Sequence, residues 1–277
     1  KHITPSLGKI KLKNLKPDKV RALMRDKRNS GLSSRTVELI HTVLGKALKD
    51  AMRDEILHRN VAAGVKPPKR TKKEMHPLAP KQARLFLDVA REDRYYALYV
   101  VAITAGLREG ELLGLQRKDV DLDASKLAVK RQLTRTKDGL SFTAPKRDKT
   151  RSVKLTGYAV EALKAHRKRQ LEDRLAAGSL WRENDLVFTS TIGTPVDVGN
   201  LTYRSFRPLL KRAGLPRIRF HDLRHTCATI LLSKGTHPKI VQEMLGHATI
   251  TQTMDTYSHV LPDMQDGAVT AMQEAFS

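Results

Sequence analysis

Four stretches of the chain carry residue types that could act together on a phosphate ester. In Thr104-Ala105-Gly106-Leu107-Arg108-Glu109-Gly110-Glu111, an arginine follows a glycine at an expected helix start, where backbone N–H groups also favour an anion. Glu111, three residues on, falls on the same helix face and can pair with Arg108. In Pro145-Lys146-Arg147-Asp148-Lys149-Thr150-Arg151, lysines fill a turn between two strand-like segments. In His221-Asp222-Leu223-Arg224-His225, helical spacing lets His221 and Arg224 face one phosphate. The guanidinium offers a planar fork to phosphate oxygens, and the imidazole can donate or move a proton near neutral pH. The fourth stretch runs from Leu245-Gly246-His247 to Asp255-Thr256-Tyr257-Ser258. A free phenol titrates at about 10, so a tyrosine attacks poorly at neutral pH. It needs nearby cations to stabilise the phenolate and the charge that builds on the phosphorus oxygens. Taken singly, these stretches also fit a surface ion pair, a solvated turn and a packing tyrosine. A zinc site is not indicated, because arginine is no ligand and His225 is expected to point elsewhere.

Helices must position most of these groups. Lys16-Pro17-Asp18 opens a segment with Val20, Leu23 and Met24 at helical spacing. Leu32-Ser33-Ser34 offers a cap for a second helix whose apolar positions are Val37, Ile40, Val43, Leu44 and Leu48. Residues 1–65 therefore form a small helical module. Val65-Lys66-Pro67-Pro68-Lys69-Arg70-Thr71-Lys72-Lys73 breaks the pattern, since two prolines stop a helix and the charge run makes a poor core. Residues 66–76 are the linker, and residues 77–277 a larger domain. Within the latter, helices are expected from Leu78-Ala79-Pro80, over Tyr95–Thr104, over 109–116 and again from Gly157. Between them lie strand-like segments at Leu127–Val129, Gln132–Thr134, Gly139–Phe142 and Ser152–Leu155, with Asp138-Gly139 as a hairpin turn. The fold class is mainly α (α+β), with one small antiparallel sheet in the larger domain.

Composition narrows the partners. The 277 residues hold 52 Lys+Arg against 29 Asp+Glu, a net charge of +23. Residues 1–76 alone carry 20 basic and 7 acidic side chains. Such an excess favours a polyanion, and six or more phosphate contacts would make affinity fall steeply with salt. Aromatics at 5% argue against a base-stacking single-strand binder. Hydrophobic residues at 40% exclude wholesale disorder. The longest apolar run, Tyr95 to Thr104, is far short of the roughly 20 residues that span a bilayer. Lys1-His2-Ile3 shows no signal pattern, and a start without Met suggests a longer parent chain. The single Cys227 excludes an internal disulfide framework and fits a reducing compartment. There is no Walker-type glycine loop and no acidic cluster suited to Mg²⁺.

In order and number, the four stretches Thr104–Leu115, Pro145–Leu155, His221–Thr226 and Leu245–Val260 resemble a tyrosine recombinase of the bacteriophage and mobile-element integrase type. The resemblance spans nearly all of residues 77–277, and residues 1–65 resemble that family's core-binding domain. It implies that Arg108 and Arg224 clamp the scissile phosphate and that Glu111 supports them. Lys146 protonates the leaving 5′ oxygen, with Lys149 as the second candidate for that role. His221 handles a proton, His247 hydrogen-bonds the phosphate, and Tyr257, ten residues later, is the nucleophile. Cleavage would then leave a 3′-phosphotyrosyl link and a free 5′-OH, with neither metal nor ATP and no cofactor. The implied partners are double-stranded DNA core sites, sibling subunits in a tetramer, and an excisionase or host DNA-bending proteins; no membrane is involved. The place of action would be the bacterial cytoplasm, at the nucleoid. Lys66, Lys69, Arg70, Lys72 and Lys73 would cross the DNA between two clamping domains. A tail helix carrying Val269, Met272 and Phe276 would dock on a neighbouring subunit or on its own domain. Rival readings are a Xer-like resolvase, a type IB topoisomerase-like relaxing enzyme, a non-catalytic DNA-binding protein and a basic protein of an RNA complex.

Overall fold

The computed structural model describes residues 1–69, 75–137, 139–144, 150–257, 269–270 and 272–276. The chain forms two compact units, Lys1–Glu74 and Met75–Ser277. In the first, α1 (Thr4–Leu7) precedes α2 (Pro17–Asn29) and α3 (Ser34–Arg53). Pro17 begins α2 where a missing N–H does no harm. The Ser33 hydroxyl caps α3 by accepting from the Thr36 N–H at 3.2 Å. Val20, Leu23 and Met24 of α2 meet Val37, Ile40, Leu44 and Leu48 of α3 in one apolar cluster. Val43 does not join them and is 52% exposed. At 3.6 residues per turn it lies about 100° from the centre of the buried stripe, so the helix turns it outward. Lys66 and Lys69 are exposed and lie in neither helix nor strand, while Arg70, Lys72 and Lys73 fall outside the described residues.

The second unit is built around α5 (Tyr96–Ala105), which follows α4 (Pro80–Val89). All of α5 from Ala97 to Ile103 is buried, as a helix apolar all round must be. It ends at Gly106, where φ is +64°. A Cβ there would stand 2.5 Å from Leu245 Cδ2 and 3.2 Å from Cys227 Sγ. We predict that Gly106→Ala lowers stability by about 1–3 kcal/mol, through left-handed strain and displacement of the buried Leu245 side chain. Urea unfolding of the two proteins checks this.

α6 (Glu109–Leu113) is shorter than the spacing predicts. The chain leaves it because Gln116 turns away to bridge Leu186. The strands then divide into two sheets rather than one. β1 (Val120–Asp121), β2 (Lys126–Val129) and β5 (Arg151–Lys154) form an antiparallel sheet in the order β1-β2-β5. β3 (Gln132–Thr136) and β4 (Gly139–Thr143) form a separate hairpin, with Leu133 opposite Phe142. The hairpin thus projects as an insertion between β2 and its partner β5. Asp138 of the expected turn lies outside the described residues.

α7 (Gly157–Ala177) packs along α5. α8 (Val198–Asn200), a π-helical stretch over Leu201–Phe206 and α9 (Arg207–Arg212) follow without a break. The last described bundle is α10 (Asp222–Ser233), α11 (Pro238–Leu245) and α12 (Ile250–Tyr257). Their contacts form a small apolar cluster of Ala228, Leu232, Val241, Leu245 and Tyr257. Val269 and Met272 are in helical conformation, and both are exposed, as is Phe276. No helix among the described residues is long and apolar enough to cross a membrane.

Candidate active site

Glu111 is the hub of the site. It is 1% exposed, and its carboxylate accepts from both ends of Arg108: the backbone N–H at 2.8 Å and Nη1 at 2.8 Å. The first contact is local, since Glu111 is the third residue of α6 and reaches back to the residue that begins it. On its other side Arg151 forms a two-pronged pair, Nη1 to Oε1 at 3.0 Å and Nη2 to Oε2 at 2.6 Å. Burial alone would raise the carboxyl, but the Arg151 and Arg108 guanidiniums outweigh it and hold the group at about 2.

Arg151 also fastens a distant segment, its Nε donating to the Met244 carbonyl at 2.8 Å. Beyond α11 the chain turns sharply at Gly246, where φ is +67° and a Cβ would stand 2.9 Å from Arg151 Nη1. This turn presents two consecutive carbonyls. Leu245 O accepts from Arg224 Nη2 at 2.7 Å, and Gly246 O accepts from Arg108 Nη2 at 3.2 Å. Arg224 Nη1 donates to Gly106 O at 2.7 Å, so this buried guanidinium bridges the end of α5 to the end of α11. Burial, and then the charge of Arg108, pull Arg224 down to about 9, which leaves it protonated at neutral pH. Two guanidiniums, Arg108 and Arg151, therefore hold one carboxylate, and a third, Arg224, is fixed on the neighbouring carbonyls. Each guanidinium has five N–H donors and Arg224 uses two of them here, so donors remain for an anion.

The histidines line the same place. His221 caps α10 and is exposed. His247 follows the turn, and its Nδ1 lies 2.8 Å from the buried Thr253 hydroxyl. Burial, and then the Arg224 and Arg108 charges, pull His247 down to about 3. His225 does not point elsewhere. It stands one helical turn beyond His221, with the rings edge to face at 4.9 Å. Its Nδ1 is 2.8 Å from the Tyr257 hydroxyl. Burial and the neighbouring His221 pull His225 down to about 4. Tyr257 is 1% exposed at the end of α12. Burial raises its phenol well above the ordinary value, although the charge of Arg224 opposes the rise.

These shifts set the acid limb of stability. His225 and His247 are neutral in the folded chain down to about 4 and about 3, whereas an unfolded histidine titrates near 6.5. Below 6.5 the unfolded state binds protons that the folded state refuses, so stability present above 6.5 is lost as pH falls. The urea midpoint is expected to drop between pH 7 and pH 5, and more gently in His247→Asn. A flat wild-type midpoint over that range would contradict the burial of these rings.

The structure thus brings together Arg108, Glu111, His221, Arg224, His247 and Tyr257 from three of the four stretches. Lys146 and Lys149, between β4 and β5, lie outside the described residues. Sequence reasoning missed Arg151 and His225 as members of the site. Arg151 sits in strand phase with the buried Val153, the one available sign that its charge points inward. His225 carries a similar sign, four residues after His221 on one helix.

Comparison with known proteins places the chain in a family. The Phage integrase family matches residues 76–264. A tyrosine recombinase XerC-like protein of Caldanaerobacter subterraneus subsp. tengcongensis is 31% identical over 265 residues, covering 89% of this chain and 68% of that protein. An integrase of Streptomyces ambofaciens is 31% identical over 287 residues, covering 97% and 71%. The solved Tn1549 transposon integrase, in complex with a circular intermediate DNA, shares the fold. Its TM-score is 0.79 over 94% of this chain and 86% of that one, at 23% identity. The chain belongs to the phage integrase family. It is a tyrosine site-specific recombinase, an enzyme of mobile-element DNA recombination.

Proposed function

We propose that this recombinase integrates and excises its element at double-stranded DNA core sites, through a 3′-phosphotyrosyl intermediate formed at Tyr257. The observation that carries the reading is the pair of guanidiniums on consecutive carbonyls, Arg224 on Leu245 and Arg108 on Gly246, in a site where Tyr257 also lies. Attack on a phosphodiester adds negative charge to its nonbridging oxygens. Arg108, Arg224 and His247 stabilise that charge, already oriented before the DNA arrives. Glu111 holds Arg108 in place and supports the clamp. The Tyr257 oxygen bonds to phosphorus as the bond to the 5′ oxygen breaks. Lys146 supplies the departing oxygen with a proton, and His221 handles the proton that the Tyr257 phenol gives up. The energy of the broken bond is kept in the tyrosyl ester, so rejoining needs no ATP.

Residues 1–65 serve as the core-type DNA-binding domain, and residues 66–76 as the basic linker, with Lys66, Lys69, Arg70, Lys72 and Lys73 on the phosphate backbone. On DNA the subunits assemble as a tetramer through the tail, joined by an excisionase or host bending proteins, within the bacterial cytoplasm. The solved Tn1549 integrase complex with DNA supports the duplex partner.

The test is covalent capture. The chain is incubated with randomised, nicked duplex DNA and denatured, and the DNA still attached to protein is sequenced. A Tyr257-linked adduct on one recurring, roughly palindromic sequence is the expected result. Adducts on all sequences would replace this reading with a relaxing enzyme. Salt-sensitive binding with no adduct would replace it with a DNA-binding protein. Unchanged assembly on DNA after deletion of residues 262–277 would remove the tail from the tetramer interface.

A further inference from the structure

The nucleophile's hydroxyl is already held by a side chain outside the set assigned above. Among the described residues, the one hydrogen-bonding partner of the Tyr257 hydroxyl is His225 Nδ1, at 2.8 Å, with ring centroids 5.8 Å apart. The rest of the tyrosine lies against Ala228, Leu232, Val241 and Leu245, which offer it no polar contact. A protonated phenol in that setting needs an acceptor. If Nδ1 carried the proton instead, the phenol's own hydrogen would be left without one, a loss of about 1–3 kcal/mol. The tautomer that satisfies both groups carries its hydrogen on Nε2.

We propose that His225 is the positioning residue for the Tyr257 nucleophile: Nδ1 accepts the phenolic hydrogen bond and fixes the oxygen beside the phosphate clamp. This rests on the reading of Tyr257 as the nucleophile. The placement on α10 gives the device its value. Arg224 is the preceding residue, locked between two carbonyls, and His221 lies one turn back against the His225 ring. A single short stretch of chain therefore carries Arg224, one of the proposed phosphate ligands, the proton-handling His221 and the tether of the attacking atom. Tyr257 is carried by α12, an element separate from α10. Fixing its oxygen relative to α10 limits motion along the line of attack, and small displacements there are expensive in rate.

The experiment uses the full chain and a nicked duplex bearing the sequence recovered with wild-type protein. Single-turnover adduct formation is compared in wild type, His225→Leu and His225→Asn, with peptide mapping of the adduct to Tyr257. Leucine keeps the bulk and removes the acceptor, whereas asparagine places Oδ1 where Nδ1 was. His225→Leu should be slower by about 10- to 100-fold, the rate equivalent of one buried hydrogen bond. Its DNA affinity should remain within about twofold. His225→Asn should recover most of the lost rate. The defect should persist on a substrate whose 5′-bridging oxygen is sulfur, because a thiolate leaves without a proton and relieves only faults on the leaving-group side. If His225→Leu fails to bind DNA, His225→Ala takes its place in the comparison. Leucine cutting at the wild-type rate or faster, asparagine no better than leucine, or rescue by sulfur would each overturn the proposal while Tyr257 stands. A wild-type adduct on another residue would overturn the nucleophile assignment and this inference with it.

Discussion

Tyr257→Phe binds DNA as tightly as the wild-type chain and forms no covalent adduct. Phenylalanine fills the same space among Ala228, Leu232, Val241 and Leu245, so the small cluster under α10, α11 and α12 survives. The loss to folding is one hydrogen bond, to His225, worth about 1 kcal/mol. The DNA-facing cations are untouched, and with them the electrostatic part of binding. The chemistry has no substitute for the missing oxygen, because no phosphotyrosyl bond can form without it. A labelled nicked duplex, resolved under denaturing conditions, gives the first readout, and a filter-binding titration at several salt concentrations gives the second. An adduct that persists in the variant would remove Tyr257 from the mechanism.

The second large effect is at Arg224. Arg224→Lys is expected to cut single-turnover cleavage by about 10³-fold or more while DNA affinity changes only a few-fold. Lysine keeps the charge but is a point donor on a flexible stem, unable to bridge Gly106 O and Leu245 O while still facing a phosphate. One of those buried carbonyls then loses its partner, and stability falls by about 1–3 kcal/mol. Arg108→Lys offers the internal comparison. Arg108 is 34% exposed and holds one carbonyl at 3.2 Å, so its loss of rate should come with less loss of stability. Wild-type cleavage by Arg224→Lys, under conditions where chemistry limits the rate, would refute the clamp.

The sequence was most legible where a local pattern has a single physical solution. Gly106 marks the end of an apolar helix, and Arg108 with Glu111 three residues on folds back as a reciprocal contact at the start of the next. Both follow from spacing. Arg151 was less visible because its role depends on a partner forty residues away and on a carbonyl at Met244. No window of sequence contains that geometry. His225 was misread for a related reason. Its spacing from His221 suggests a shared face, but the reason to occupy that face is Tyr257, which only the packing of α12 on its neighbours supplies. The division of the strands into a sheet and a separate hairpin was hidden too, because β2, paired with β1 on one edge, passes over β3 and β4 to pair with β5 on the other. Alternation within a strand reports which face is buried and says nothing of which strand lies alongside.

Glu111 ties residues 108 and 151 together, Arg151 reaches Met244, and the tyrosine comes last, at 257. On the ribosome these parts emerge in that order and well apart in time. A nascent chain that has released α5 and α6 has one guanidinium paired to a carboxylate, with neither its second clamp nor an attacking oxygen. Domains fold as units during synthesis, and contacts this distant in sequence close late. On the proposed function, a chain aborted before residue 257 keeps the basic N-terminal module that holds DNA, yet it has nothing with which to break a strand. Translation would thus, on that proposal, deliver the means to hold DNA well before the means to cut it.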